Sequence, residues 1–199
     1  MQNWLRESHT HTTINHPNTY PMKIVKTVGY SLLGLIAMLL IAAALTPRTY
    51  TVSVSETINV PTSAVKDYVR ILDHQKNYSV WVMEDPNLVP EITGTDGEVG
   101  ASQYWNSEID NVGEGRQTIT AITDSRMDVD LEFVRPFKGT AKAATLYEAI
   151  TPNQSLVTSE FYGNDPYPMN LMGYWFGRGM LADAQKRNLA NLKGILEKE

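Results

Sequence analysis

Cysteine is absent from the 199-residue chain. That removes disulfide scaffolds, thiol nucleophiles, Cys-based zinc sites and iron–sulfur clusters from consideration. Histidine is scarce as well. Three of the four, His9, His11 and His16, precede residue 22, and no further ligand completes a metal set around them. His74 is therefore the one histidine left for chemistry, and a helix-end surface position accounts for it. Basic charge is also short, with 17 Lys+Arg against 22 Asp+Glu and a net charge of −5. A nucleic-acid partner needs a basic face to neutralise phosphates, so none is expected. No Gly-x-Ser-x-Gly turn occurs. No metal and no cofactor are expected.

What the chain does have is an uneven charge distribution. Residues 1–49 carry Arg6, Lys23, Lys26 and Arg48 against Glu7, a net +3, whereas residues 50–199 carry a net −8. Between Lys26 and Arg48 lie 21 uncharged residues, Thr27 to Pro47, almost purely apolar from Leu32 to Leu45. As a helix they span about 31 Å, the thickness of a bilayer's hydrocarbon core. A cleaved signal peptide would also have a basic flank and small residues such as Ala42-Ala43-Ala44. The run is long for that purpose, and an uncleaved transmembrane anchor over 23–47 is the favoured reading, with 28–45 in the membrane. Lys23 and Lys26 outnumber Arg48, so the amino end is expected in the cytoplasm and the following domain outside it. Residues 1–22 read as a disordered tail, and Met22 reads as an alternative start.

From Tyr50 the period changes to two. Val52, Val54, Ile58 and Val60 alternate with small polar residues, as in a half-buried strand. Pro61-Thr62-Ser63 ends it and predicts a capped helix through Ala64, Val65, Tyr68, Val69 and Leu72. A short helix or turn is expected over 75–81. Strands are expected at about 89–93, 101–108, 114–123, 126–134, 139–150 and 154–162, broken by Gly, Asn, Asp and Pro. From Pro168 a long helix carries Leu171, Met172, Trp175, Leu181, Ala184, Leu189, Leu192 and Ile195 on one stripe. Gly173, Gly177 and Gly179 interrupt its start, which predicts a kink, a gate or a close approach to the sheet.

An antiparallel meander with one long helix to cover it often leaves a cavity between the two. The chain resembles the START-like SRPBCC superfamily, in particular small membrane-anchored bacterial members related to polyketide cyclases and dehydrases. The residues that carry the resemblance are Ile58-Asn59-Val60-Pro61, Trp81, Asp85-Pro86-Asn87, Gly97 to Ser102 with Trp105, and Val112-Gly113-Glu114-Gly115. Arg135-Pro136-Phe137-Lys138, Tyr167 to Gly173 and Leu189 to Lys193 complete the set. It extends over 50–198. The resemblance implies an α+β helix-grip fold over 50–199, a curved antiparallel sheet of about seven strands around a long C-terminal helix, with an internal cavity for an apolar ligand.

Within that frame, Trp105, Phe133, Phe161, Met172, Trp175 and Phe176 are the candidate ligand contacts. Ordinary core packing is the alternative for each, but as a group they suit an adaptable apolar pocket. Glu56 joins them as a departure from the pattern, since strict alternation places it on the inward face of the first strand. It either turns outward at a bulge, pairs with a base such as Arg116 or Lys142, or lines the cavity as a ligand-orienting group or general acid. The last is the working expectation. Asp128, Asp130 and Glu132 share the other face of a strand from Met127, Val129, Leu131 and Phe133, and read as its solvated side. Two function classes follow. One is a membrane-anchored module that binds a lipid or other apolar small molecule. The other is a cyclase/dehydratase-type enzyme using a cavity carboxylate or Tyr as general acid/base. Sparse polar equipment favours the first.

Overall fold

Alternating apolar residues become strands, and the interruptions between them become turns. The computed structural model describes residues 22–198, so the tail read over 1–22 lies, Met22 apart, outside the described residues. The chain divides into two compact units with the boundary between Leu40 and Ile41. The first is most of helix α1, Met22–Leu45, whose 24 residues are long and apolar enough to cross a membrane. Its large side chains are exposed.

The second unit carries β1 (Thr49–Ile58), α2 (Thr62–Val69), a 3-10 turn (Leu72–His74), α3 (Gln75–Tyr78) and α4 (Val80–Glu84). After them come β2 (Glu91–Thr93), β3 (Ser102–Asn106), β4 (Glu114–Ile122), β5 (Arg126–Arg135), β6 (Gly139–Thr151) and β7 (Gln154–Asn164). Then follow α5 (Asn170–Met172), a π-helical turn (Gly173–Gly177) and the long α6 (Arg178–Leu196). All seven strands form one antiparallel sheet in the order β1-β7-β6-β5-β4-β3-β2. The chain therefore winds as a meander from β2 to β7 and closes by laying β1 beside β7.

The core sits where α2, the 3-10 turn and the C-terminal half of α6 meet the sheet. Ile58, Val65, Leu72, Ile119, Val157 and Leu192 are fully buried there, with Leu189 and Leu196 beside them. Backbone ends are tied by side chains. Asp96 accepts from the backbone N–H groups of Leu72 (2.7 Å) and Asp73 (3.1 Å), which caps the 3-10 turn. Gly97 and Gly100, which follow Asp96, take positive φ, a conformation that Cβ-bearing residues disfavour. These contacts are the physical content of the Gly97–Ser102 motif. The cap expected of Thr62 or Ser63 on α2 does not form: Pro61 stands at the N-cap and no side chain bonds the first turn.

The stripe read along the last helix holds only from Leu181 onward. Ala184, Leu189 and Leu192 are buried, but Met172, Trp175 and Phe176 are exposed. The π turn between Gly173 and Gly177 is the reason, because an extra residue in a helical turn rotates everything before it by about 100°. Gly173 is required there: a Cβ would strike the Asp165 carboxylate.

Candidate ligand cavity

Between the sheet and the N-terminal half of α6 lies a cavity of about 740 Å³. Its sheet wall is the inward-facing row of the central strands: Gln103 and Trp105 on β3, Gln117 on β4, Met127, Val129, Leu131 and Phe133 on β5, Ala143 on β6 and Phe161 on β7. Strand register puts Phe161 opposite Ala143 and Ala143 opposite Val129, so these side chains form one continuous surface. The opposite wall is Leu181, Ala184, Gln185 and Asn188 of α6, and α3–α4 supply Tyr78 and Trp81.

Three features hold the walls in place. The Trp105 indole donates to the Val112 carbonyl (3.2 Å), meets Phe133 edge-on at 6.2 Å, and lies over Gly115, where a Cβ would come within 2.5 Å of the ring. Asn188 and Asn191 of α6 pin α3–α4: Val80 N donates to Asn188 Oδ1 (2.8 Å), and Asn191 Nδ2 donates to the Tyr78 carbonyl (3.1 Å). At the rim, Glu114 accepts from Tyr104 Oη (2.8 Å) and Arg135 Nε (3.0 Å), and these bonds hold its carboxyl below the usual range. The Asp85-Pro86-Asn87 motif belongs to the same rim. Asp85 accepts from the buried Ser107 hydroxyl (2.6 Å) and from Asn87 N (3.0 Å), joining the loop after α4 to the β3–β4 hairpin.

Of the candidate ligand contacts, Trp105, Phe133 and Phe161 line the cavity together. Met172, Trp175 and Phe176 do not; Trp175 and Phe176 are 68% and 69% exposed. Glu56 is not on the lining either. It faces α6 as the alternation requires, but β1 is the edge strand, and the carboxylate emerges at the helix flank 2.7 Å from Lys193 Nζ. The pairing alternative is what forms, with a partner that is neither Arg116 nor Lys142. Both groups of this pair are about one-third exposed.

The acidic residues of β5 stand on the outer face, where Asp128 pairs with Arg126 (2.8 Å) and Asp130 with Lys142 (3.3 Å). Asp130 and Glu132 border a second groove of about 720 Å³. His74 stacks on Tyr68 with ring centroids 4.3 Å apart and has Nδ1 3.0 Å from the Tyr68 carbonyl. Among the described residues no three His, Cys, Asp or Glu converge to hold a metal ion.

What sequence reasoning missed is the polar part of the cavity. Gln75, Gln103, Gln117 and Gln185 all line it. A lone Gln on a strand or helix reads as surface, and only the topology shows four of them facing one space. Near it, Tyr78 has its hydroxyl pushed up by burial, so it holds its proton.

No family model matches the chain, and no curated protein matches it. Solved structures do. The crystal structure of Ara h 8.0201 superposes with a TM-score of 0.52 at 14% identity, covering 76% of this chain and 99% of that one. The fold is helix-grip. The di-domain ARO/CYC BexL from the BE-7585A biosynthetic pathway gives 0.55 at 12% identity, covering 87% of this chain and 58% of that one. An NMR structure of a protein from Arthrobacter aurescens gives 0.54 at 12% identity, covering 75% and 87%. At these identities the likeness speaks for the fold alone.

Proposed function

We propose that the chain is a membrane-anchored binding module that holds a lipid or other apolar small molecule in the cavity under α6. The observation that carries this is the cavity itself: about 740 Å³ walled mainly by apolar and aromatic side chains, within the range of small-molecule sites. Trp105, Phe133 and Phe161 are its ligand contacts. The carboxylates that border it, Glu84, Asp110 and Asp183, are exposed at its rim. That distribution favours binding over the cyclase/dehydratase alternative, which needs a cavity carboxylate or Tyr as general acid/base and would have to rely on the buried Tyr78 hydroxyl. A neighbour that is an aromatase/cyclase does not alter this, since the shared fold hosts both.

Helix α1 serves as the anchor, spanning the bilayer through 28–45 with Lys23 and Lys26 on the cytoplasmic side. Its last turn belongs to the folded domain: Asn170, 1% exposed, donates from Nδ2 to the carbonyls of Ala43 and Thr46, both at 2.8 Å. Alkaline carbonate extraction tests the anchor, and full-length protein is expected to stay with the membrane pellet. Native mass spectrometry of the detergent-extracted full chain tests the cavity, and a co-purified apolar mass is expected. Release by carbonate overturns the anchor. An empty chain that turns over a polyketone overturns the binding reading.

A further inference from the structure

The interior of the cavity carries uncharged polar groups, four glutamine amides beside the hydroxyls of Tyr78, Ser79, Thr145 and Ser159, and one of the amides is incomplete. Gln75, Gln103 and Gln117 satisfy one another. Gln117 Nε2 donates to Gln75 Oε1 (2.7 Å) and also to Gln103 Oε1, Gln75 Nε2 returns a bond to Gln117 Oε1 (3.3 Å), and Gln103 Nε2 donates to the Leu72 carbonyl (3.2 Å). Gln185 stands on the opposite wall. It is 8% exposed, and its Oε1 is buried with no hydrogen-bond partner. A buried acceptor left unpaired is destabilising, and native structures leave such groups only where something else completes them.

Charge is excluded from the same interior. Glu84, Asp110, Asp183 and Arg187 touch the cavity only at its exposed rim, and Arg135 is committed to Glu114. An ionised head group carried inside would find no counter-ion, and its desolvation would go uncompensated. An uncharged hydroxyl or amide N–H costs far less and supplies the donor that Gln185 Oε1 lacks.

We infer that the cavity selects neutral amphipathic molecules, with an apolar chain or ring body against Trp105, Phe133 and Phe161 and an uncharged hydrogen-bond donor against Gln185 Oε1. This rests on the binding reading above and specifies its ligand class: a hydroxyl-bearing or amide-bearing lipid rather than a fatty-acid anion or a bare hydrocarbon.

Three probes with the same twelve-carbon acyl chain separate the possibilities: 1-monolauroylglycerol (neutral, with donors), methyl dodecanoate (neutral, acceptors only) and dodecanoate at pH 8 (anionic). The full chain in non-ionic detergent micelles is offered all three at equal concentration, and adducts are counted by native mass spectrometry. Monolauroylglycerol should exceed each of the others about tenfold. Gln185→Leu should level monolauroylglycerol with methyl dodecanoate, whereas Gln185→Asn, which keeps a neutral amide acceptor, should retain a preference. Equal loading of all three by the unmutated protein, or a preference untouched by Gln185→Leu, overturns the inference and leaves the cavity reading standing. No adduct with any probe overturns both.

Discussion

The two halves of α6 do different work against the same sheet. From Leu189 to Leu196 the helix closes the core: Leu189, Leu192 and Leu196 are at most 5% exposed and join Ile58, Val65 and Val157, with Leu189 and Leu192 also forming the closed end of the cavity. From Met180 to Gln185 it overhangs empty space, and the chain before it is a π turn with Trp175 and Phe176 exposed. One half supplies stability and the other leaves room. Because the C-terminal half bears the packing load, the N-terminal half is free to form one wall of a cavity.

The comparison is broken most severely by substitutions of equal chemistry in the two halves. Leu192→Ala, in the buried C-terminal half, should cost about 2–5 kcal/mol in urea or thermal unfolding. Leu181→Ala, on the cavity wall, should stay within about 1 kcal/mol, because it enlarges a space that is already empty. Equal losses at both positions would mean that the cavity is collapsed in solution. Next in size is Gly115→Ala. The new Cβ meets both the Trp105 ring and the Glu132 carbonyl at 2.5 Å, so a loss of about 1–3 kcal/mol is expected, with a shift of the Trp105 indole resonance. An unmoved indole signal would show that the ring does not lie where it is placed.

A pH prediction gives the smallest effect. Burial raises the Asp165 carboxyl above its ordinary value, opposed by a hydrogen bond from the Tyr50 hydroxyl, and that hydroxyl is itself pushed up to about 12. The folded state therefore binds this proton more tightly than the unfolded chain. Its destabilising contribution is absent below the ordinary carboxylate value, grows as pH rises through the raised one, and is fully present at neutral pH. Asp165→Asn should raise Tm slightly at pH 7 and leave it unchanged near pH 3. The opposite ordering would mean that the carboxylate is stabilised as an anion.

Which half was legible in advance follows from what each side chain signals. Strands announce themselves by period two, and Trp105, Phe133 and Phe161 fall on the inward phase, so the sheet wall could be read directly. The start of the last helix could not, because the pattern assumed 3.6 residues per turn and the π turn at Gly173–Gly177 breaks that phase. Met172, Trp175 and Phe176 therefore changed sides. Glu56 was read onto the correct face, but its partner Lys193 sits 137 residues away on an element whose rotation about its axis no strand pattern sets. The glutamines were invisible for a different reason: an amide looks the same in a sequence whether it meets water or a cavity.

The most direct test is to fill the space. Ala143→Phe adds a ring from the sheet wall into the cavity, between Val129 and Phe161. In close-packed surroundings such overpacking is destabilising. Measured on the full chain, the account predicts an unchanged or higher Tm together with loss of the co-purifying mass in native mass spectrometry. A Tm lowered by several degrees, or a variant that folds and still carries the same bound mass, would contradict it.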